Sequence, residues 1–203
     1  MYERYVKRIL DFVLAVFGLV ILSPLYLIII IAIKLDSRGP VLFEQKRMAQ
    51  NKKSFKIYKF RTMRIDTPHN MPTHMLVHAD SYITTVGKFL RKTSLDELPQ
   101  LLNILKGEMS VIGPRPCLMN QKDLILERDK YGANNVKPGL TGLAQISGRD
   151  ELPIPVKAKY DGEYCRNISF GKDIRILFGT VTSVLKHDGI KEGKATNTNA
   201  KRL

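Results

Sequence analysis

"FGLVILSPLYLIIIIAI", residues 17–33, decides how this chain of 203 residues is organised. Between Asp11 and Lys34 lie about 22 uncharged residues, enough for one helix to cross a hydrocarbon layer of about 30 Å. Length alone therefore predicts a single membrane span. Ser23-Pro24 stands at its centre, however, and Pro24 has no backbone N–H and a ring that collides with the carbonyl four residues earlier. Each arm is then about 10 residues, or about 15 Å of helix, half the hydrocarbon thickness. The flanking charges agree with a break. Arg4, Lys7 and Arg8 precede the run, and Lys34, Arg38, Lys46, Arg47, Lys52 and Lys53 follow it. By the positive-inside bias both ends are cytoplasmic, which a span cannot satisfy. A hairpin that enters and leaves by one face does, and the Ser23 hydroxyl can bond a carbonyl freed by the proline. The competing reading is an ordinary proline-kinked span. A cleavable signal peptide is not expected, because the apolar run is too long and no small-residue cleavage site follows it.

Outward from this run, the expectation is a mixed α/β, mainly helical protein in three parts. Residues 1–36 form the re-entrant helix-break-helix, 37–190 one cytosolic domain with amphipathic interfacial helices, and 191–203 a polar tail. Short apolar or alternating runs at 41–44 and 55–60 ("FKIYKF") read as strands. Residues 67–80 are polar, carry Pro68 and Pro72, and read as a loop. His74 and His78 in that loop have helical metal-pair spacing, but no acidic partner completes a motif. Leu95, Leu98, Leu102 and Leu105 recur at helical spacing and stop at Lys106-Gly107. In "DIRILFGTVTSVLKHDG", Ile174, Leu177, Phe178, Val181 and Leu185 share a helical face. That face either packs on the core or lies on a membrane beside the hairpin.

Lys and Arg outnumber Asp and Glu by 33 to 19, a net charge of +14, so the partner is anionic. Nucleic acid is not favoured: the cations are spread through proline- and glycine-bounded motifs, and aromatics make up only 8% of the chain. An anionic membrane surface and a phosphorylated substrate remain. Two cysteines without CxxC spacing indicate reduced thiols and no structural zinc.

The chemistry concentrates in "RKTSLDELPQLLNILKGEMSVIGPRP", residues 91–116. Ser94 to Glu97 matches the S-x-x-E capping box, which would start a helix at Ser94. Pro99 opposes this, and the alternative is a regular helix that begins near Pro99. Either way Asp96 and Glu97 stand at a helix N-terminus, as caps or as functional acids. Lys59, Arg61, Arg91, Arg115 and Arg149 lie beside turns or prolines, and arginine forks suit phosphate. Adjacent carboxylates amid such cations point to Mg²⁺ and phosphoryl transfer, and an aspartate can itself attack phosphorus. No GxSxG, Walker A, HExxH or dinucleotide fingerprint offers another mechanism.

These residues resemble the small monotopic phosphoglycosyl transferases of bacteria, the bacterial sugar transferase family. The likeness runs from about Tyr2 to about Lys191. It rests on "YVKRILD", the Ser23-Pro24 break, "FKIYKFRTM", the 91–116 stretch, "VKPGLTGLAQISGRD" and "KYDGEYCRNISFGKDIRIL", in this order. The resemblance implies transfer of a sugar 1-phosphate from a UDP-sugar to undecaprenyl or another polyprenyl phosphate, with release of UMP, at the cytosolic face of the bacterial inner membrane. Downstream glycosyltransferases would extend the product toward a surface glycan. It further implies that Asp96 is the nucleophile of a covalent phosphosugar intermediate and that Asp96 and Glu97 hold Mg²⁺. Lys59, Arg91, Arg115 and Arg149 would line the phosphate and nucleotide site, with Asp161 an acid of the same site. Gly139 and Gly142 read as turn residues that let the backbone approach it. A non-catalytic scaffold of the same fold is the alternative.

Overall fold

A computed structural model describes residues 1–67, 79–148 and 152–186. After a π-helical turn, Tyr2–Val6, come α1 (Lys7–Ile21), α2 (Ser23–Asp36), β1 (Leu42–Met48), β2 (Ser54–Phe60), α3 (Ala79–Tyr82), α4 (Thr85–Thr93), a 3₁₀ turn at Leu95–Glu97 and α5 (Gln100–Lys106). The chain continues through β3 (Ser110–Ile112), α6 (Lys122–Asp129), β4 (Gly139–Thr141), α7 (Leu143–Ile146), α8 (Ile154–Arg166) and α9 (Phe170–Lys186). The architecture is mixed and mainly helical. Strands β1 and β2 form an antiparallel hairpin, and β3 pairs in parallel with β4. The expected strands at 41–44 and 55–60 both belong to the hairpin, the first running on to Met48. The expected loop with His74 and His78 lies mostly outside the described residues, as does the tail.

The first two helices break where the proline requires. They are bent by 62°, and among the described residues no single helix is long and apolar enough to cross a membrane, although the bent pair passes that test together. Pro24 cannot donate to the Val20 carbonyl, and the Ser23 hydroxyl does so instead at 2.8 Å. The serine thus relieves the acceptor that the proline orphans.

Helix α1 is polar inside and apolar outside. Lys7, Asp11 and Ala15 are its buried residues, while Ile9, Phe12, Val13, Phe17 and Val20 are exposed. Lys7 Nζ lies 2.6 Å from Asp173 Oδ2 on α9, and Asp11 Oδ1 accepts from the Val111 N–H at 2.9 Å. Tyr2 and Tyr164 also donate to Asp173, which completes the buried network. Buried charges must be paired, and these are. Arg8 donates to the carbonyls of Ile104 and Leu105, tying α1 to the end of α5.

The hairpin and the domain share their cores. Ala15 packs with Phe55, Ile57, Leu101, Ile104 and Met109, and Ile29 and Ile33 of α2 pack with Phe60 and Leu90. At Gly18 a Cβ would come within 3.0 Å of Leu101, so the small residue lets α1 lie close on α5. A third cluster, of Ile112, Tyr164 and Ile176, seats α8 and α9 against β3. The apolar stripe read in α9 does not face this core. Ile176 is buried, whereas Ile174, Leu177, Phe178 and Val181 are exposed. Asp173, Ile176 and Ser183 make the inward face instead. Small and hydrogen-bonded residues pack here, which frees the apolar stripe to point outward.

Candidate active site

The capping-box expectation is corrected by the backbone. Ser94 adopts φ +56°, ends α4 with its N–H on the Arg91 carbonyl, and makes no side-chain cap. The next residues form the 3₁₀ turn, and α5 starts at Gln100 behind Pro99. Proline wins because its φ suits the start of a helix but its missing N–H does not suit the interior. Asp96 and Glu97 therefore stand on a tight turn between two helices.

Three contacts hold this turn. The Tyr26 hydroxyl of α2 donates to the Leu98 carbonyl at 2.7 Å. Asn103, fully buried on α5, accepts from the Tyr58 N–H at 3.0 Å and donates to the Lys56 carbonyl at 2.7 Å. This clamp fixes strand β2, and with it Lys59, beside the turn. On the other side α4 sits against Thr62, because a Cβ at Gly87 would fall 2.1 Å from the Thr62 carbonyl oxygen. That close approach lets Arg91 Nε donate to the Thr62 hydroxyl at 2.9 Å.

Glu97 gathers cations. Lys59 Nζ donates to its Oε1 at 2.7 Å, and Arg115 reaches both oxygens, Nη2 to Oε1 at 2.5 Å and Nη1 to Oε2 at 3.2 Å. Burial opposes its ionisation, but Arg115 and Lys59 outweigh burial and hold the carboxyl far below the usual carboxylate range. Asp96 differs. Its Oδ2 lies 3.9 Å from Lys59 Nζ, beyond a direct hydrogen bond. Burial pushes the Asp96 carboxyl up; Lys59, Arg91 and Arg115 offset part of this, while the Glu97 charge adds to it. One acid is thus spent on neutralising the cations, and the other stands beside them with its oxygens less engaged.

Arg115 is carried by the 3-residue "PRP" after β3. The backbone there is held by close chain approach: Gly113 N–H donates to Thr141 O and Gly139 N–H to Pro114 O. A Cβ at Gly139 would meet Gly113 N at 2.1 Å, and one at Gly142 would meet Gly113 O at the same distance. Gly139 belongs to β4 and Gly142 has extended backbone, so they serve close approach to the Gly113 backbone rather than a turn. Beneath lies Arg128 of α6, whose Nη1 donates to the Arg115 carbonyl at 3.0 Å.

Of the residues expected at the site, Lys59, Arg91, Arg115, Asp96 and Glu97 are brought together. Asp161, expected as an acid of the same site, makes no direct contact with this group. It is buried in mid-α8 and bound by Arg128 at 2.8 and 2.6 Å, so it reaches the site only through Arg128 and Arg115. Arg61 is a correction. Its guanidinium donates to the carbonyls of Arg38 and Ser37 at 2.7 Å each and to the Ser37 hydroxyl at 2.9 Å. Those acceptors brace the foot of α2, which leaves this guanidinium engaged away from Glu97. Arg149 lies outside the described residues. Sequence reasoning missed Arg128, Asn103, Tyr26 and Thr62; the last three stand inside the quoted stretches, but all four act through backbone groups or pairs distant in sequence.

Among the described residues no cluster of three metal-ligating side chains occurs. Two adjacent carboxylates suit a hard cation that keeps phosphate and water oxygens as its other ligands. Asp96 fits such a role with its less engaged oxygens, whereas Glu97 would have to share its own with Lys59 and Arg115.

The profile of the bacterial sugar transferase family matches residues 2–187. The chain is 42% identical over 195 residues to the exopolysaccharide production protein PSS of Rhizobium leguminosarum bv. phaseoli, covering 90% of this chain and 96% of that one. It is also 42% identical over 186 residues to the UDP-glucose:undecaprenyl-phosphate glucose-1-phosphate transferase of Escherichia coli (strain K12), covering 88% and 40% respectively. Identity to the undecaprenyl-phosphate galactose phosphotransferase of Salmonella typhimurium is 36% over 201 residues, covering 92% and 42%. The chain thus spans nearly all of the first relative and about two fifths of the other two.

Proposed function

The chain belongs to the bacterial sugar transferase family, and from that premise we propose that it transfers a sugar 1-phosphate from a UDP-sugar to a polyprenyl phosphate. The reading is carried by one observation: a buried aspartate stands among Lys59, Arg91 and Arg115 while its neighbour Glu97 takes the ion pairs of Lys59 and Arg115. Relatives named for glucose 1-phosphate and galactose phosphate transfer to undecaprenyl phosphate support the substrate class.

In the first half-reaction an Asp96 oxygen attacks the sugar-bearing phosphorus, and the P–O bond to UMP breaks with its electron pair leaving on UMP. In the second, a phosphate oxygen of the polyprenyl acceptor attacks the same phosphorus and the carboxylate departs. Charge balances in both halves without a proton transfer, so an ionised Asp96 is what the chain must supply. Lys59, Arg91 and Arg115 bind and orient the donor phosphates through charge-assisted bonds. Glu97 keeps Lys59 and Arg115 aimed across the turn. Asp96 and Glu97 would hold Mg²⁺, which when bound neutralises the diphosphate. Splitting the transfer lets UMP leave before the lipid enters.

A membrane location follows from the same reading. The exposed apolar faces of α1, α2 and α9 would lie in lipid, and both feet of the bent pair are tied to one domain. Lys7, Arg8 and Asp11 anchor the first, and Arg61 anchors the second through Ser37. A hairpin so tied returns to the face it enters, the cytosolic face by its flanking cations. Tyr26, two residues past Pro24, links the buried arm to the Asp96 turn. The product would start a surface glycan.

The test is UMP release by purified protein in nanodiscs with Mg²⁺, undecaprenyl phosphate and a panel of UDP-sugars, beside Asp96→Asn. Turnover with one sugar, lost in the variant, is the expected result. No UMP release by folded protein across the panel would favour the scaffold reading.

A further inference from the structure

Arg47 is a half-buried cation that forms no carboxylate pair among the described residues. In the β1–β2 register Phe43 faces Lys59, Gln45 faces Ile57 and Arg47 faces Phe55. Cross-strand partners share a face, so Arg47 and Gln45 point to the same side of the hairpin as Lys59. Arg47 Nη2 donates to Gln45 Oε1 at 2.6 Å, and Nη1 reaches the Pro116 carbonyl only at 3.5 Å. Its Nε is buried and has no acceptor. The arginines nearby are spoken for: Arg115 forks onto Glu97 and Arg128 onto Asp161.

The surroundings make this guanidinium costly without an anion. Burial first, and then the like charge of Arg115, bring its pKa down to about 10, and the nearby Glu97 is already bound by Arg115 and Lys59. A planar fork with unspent donors, held beside a second arginine, is configured for an oxyanion of two or three oxygens.

Position selects which anion. Lys59 lies 3.9 Å from Asp96, and Arg115 and Lys59 meet on the adjacent Glu97, so they would face the phosphorus that Asp96 would attack. Arg47 sits beyond Arg115, leaning on Pro116, and so suits the phosphate that is not attacked. We propose that Arg47, oriented by Gln45, is a substrate-binding residue for the departing nucleoside monophosphate, its guanidinium receiving the phosphate whose charge grows as the P–O bond breaks. The assignment rests on the transferase reading above. It adds a fourth cation to Lys59, Arg91 and Arg115.

The test uses the full chain in nanodiscs and calorimetric titration with UMP and with uridine, which lacks the phosphate. Arg47→Gln should weaken UMP binding about 10-fold or more, the loss of a charge-assisted fork, and leave uridine binding within about twofold. Arg47→Lys, which keeps the charge but not the fork, should fall between the two. If Arg47→Gln fails to fold, Arg47→Lys decides by the same selective loss for UMP. UMP binding unchanged in folded variants, or equal weakening of UMP and uridine, overturns the role of Arg47 alone. A parent protein that binds neither UMP nor a UDP-sugar overturns the transferase reading and this inference with it.

Discussion

Arg128 and Asp161 form an ion pair with both side chains buried, Nη2 to Oδ2 at 2.6 Å, and the same guanidinium holds the Arg115 carbonyl at 3.0 Å. The pair links α6 to α8 and sets the height of the "PRP" segment. Asp161→Asn leaves a buried guanidinium uncompensated, which should cost about 3–5 kcal/mol of stability. Because Arg115 loses its support, kcat/KM should also fall about 10-fold or more at temperatures where the variant is folded. Denaturant unfolding and UMP release measure the two effects. A stability loss under about 1 kcal/mol would show that the pair is not structural.

Asp96 should trade stability for reactivity. Burial raises its folded pKa above the unfolded value of about 3.9. Stability linked to this carboxyl is therefore fully present below the unfolded pKa and is lost as pH rises through the folded one. At neutral pH Asp96→Asn removes that cost, so its Tm should equal or exceed the parent's while turnover falls about 1,000-fold or more. A lower Tm in the variant would contradict the buried-charge account.

Lys59 is the largest influence that offsets burial at Asp96. Lys59→Met should move the acid limb of the UMP-release pH profile further up, since the carboxylate loses its nearest cation. Glu97, held down by Arg115 and Lys59, should not set that limb in the parent. An acid limb unmoved in Lys59→Met would assign it to another group.

Pro24 and Ser23 set the bend between two helices whose feet are both fixed to the domain. Replacing both with alanine restores an N–H for the Val20 carbonyl and favours one continuous helix of about 30 residues, about 45 Å long. One foot must then leave the domain. Membrane-impermeant labelling of cysteines placed at the two ends should report opposite sides, with loss of activity. Labelling of both ends from one side would show that these two residues do not set the topology.

The break at Ser23-Pro24 was legible because a missing N–H is a local fact. So were the two strands, from their short apolar runs, though not their pairing into a hairpin, and so was the gathering of Lys59, Arg91 and Arg115 around Asp96-Glu97, from the motifs that hold them. Arg61 was grouped with the site cations because it stands beside Lys59 in "KFRT"; the chain leaves β2 at Phe60, so Arg61 turns to α2 instead. The pairing of Asp161 with Arg128 was not legible, since the two lie 33 positions apart. The stripe of α9 was found, but periodicity alone cannot say whether an apolar face meets protein or lipid. Only the burial of Asp173, Ile176 and Ser183 separates the two faces.

The most direct measurement is the intact mass of the protein after incubation with its active UDP-sugar and no acceptor. The account predicts an adduct of one sugar phosphate, stoichiometric UMP, no adduct in Asp96→Asn, and clearance of the adduct when polyprenyl phosphate is added. UMP release that requires both substrates together, with unmodified protein throughout, would contradict a nucleophilic Asp96 and indicate direct transfer between donor and acceptor.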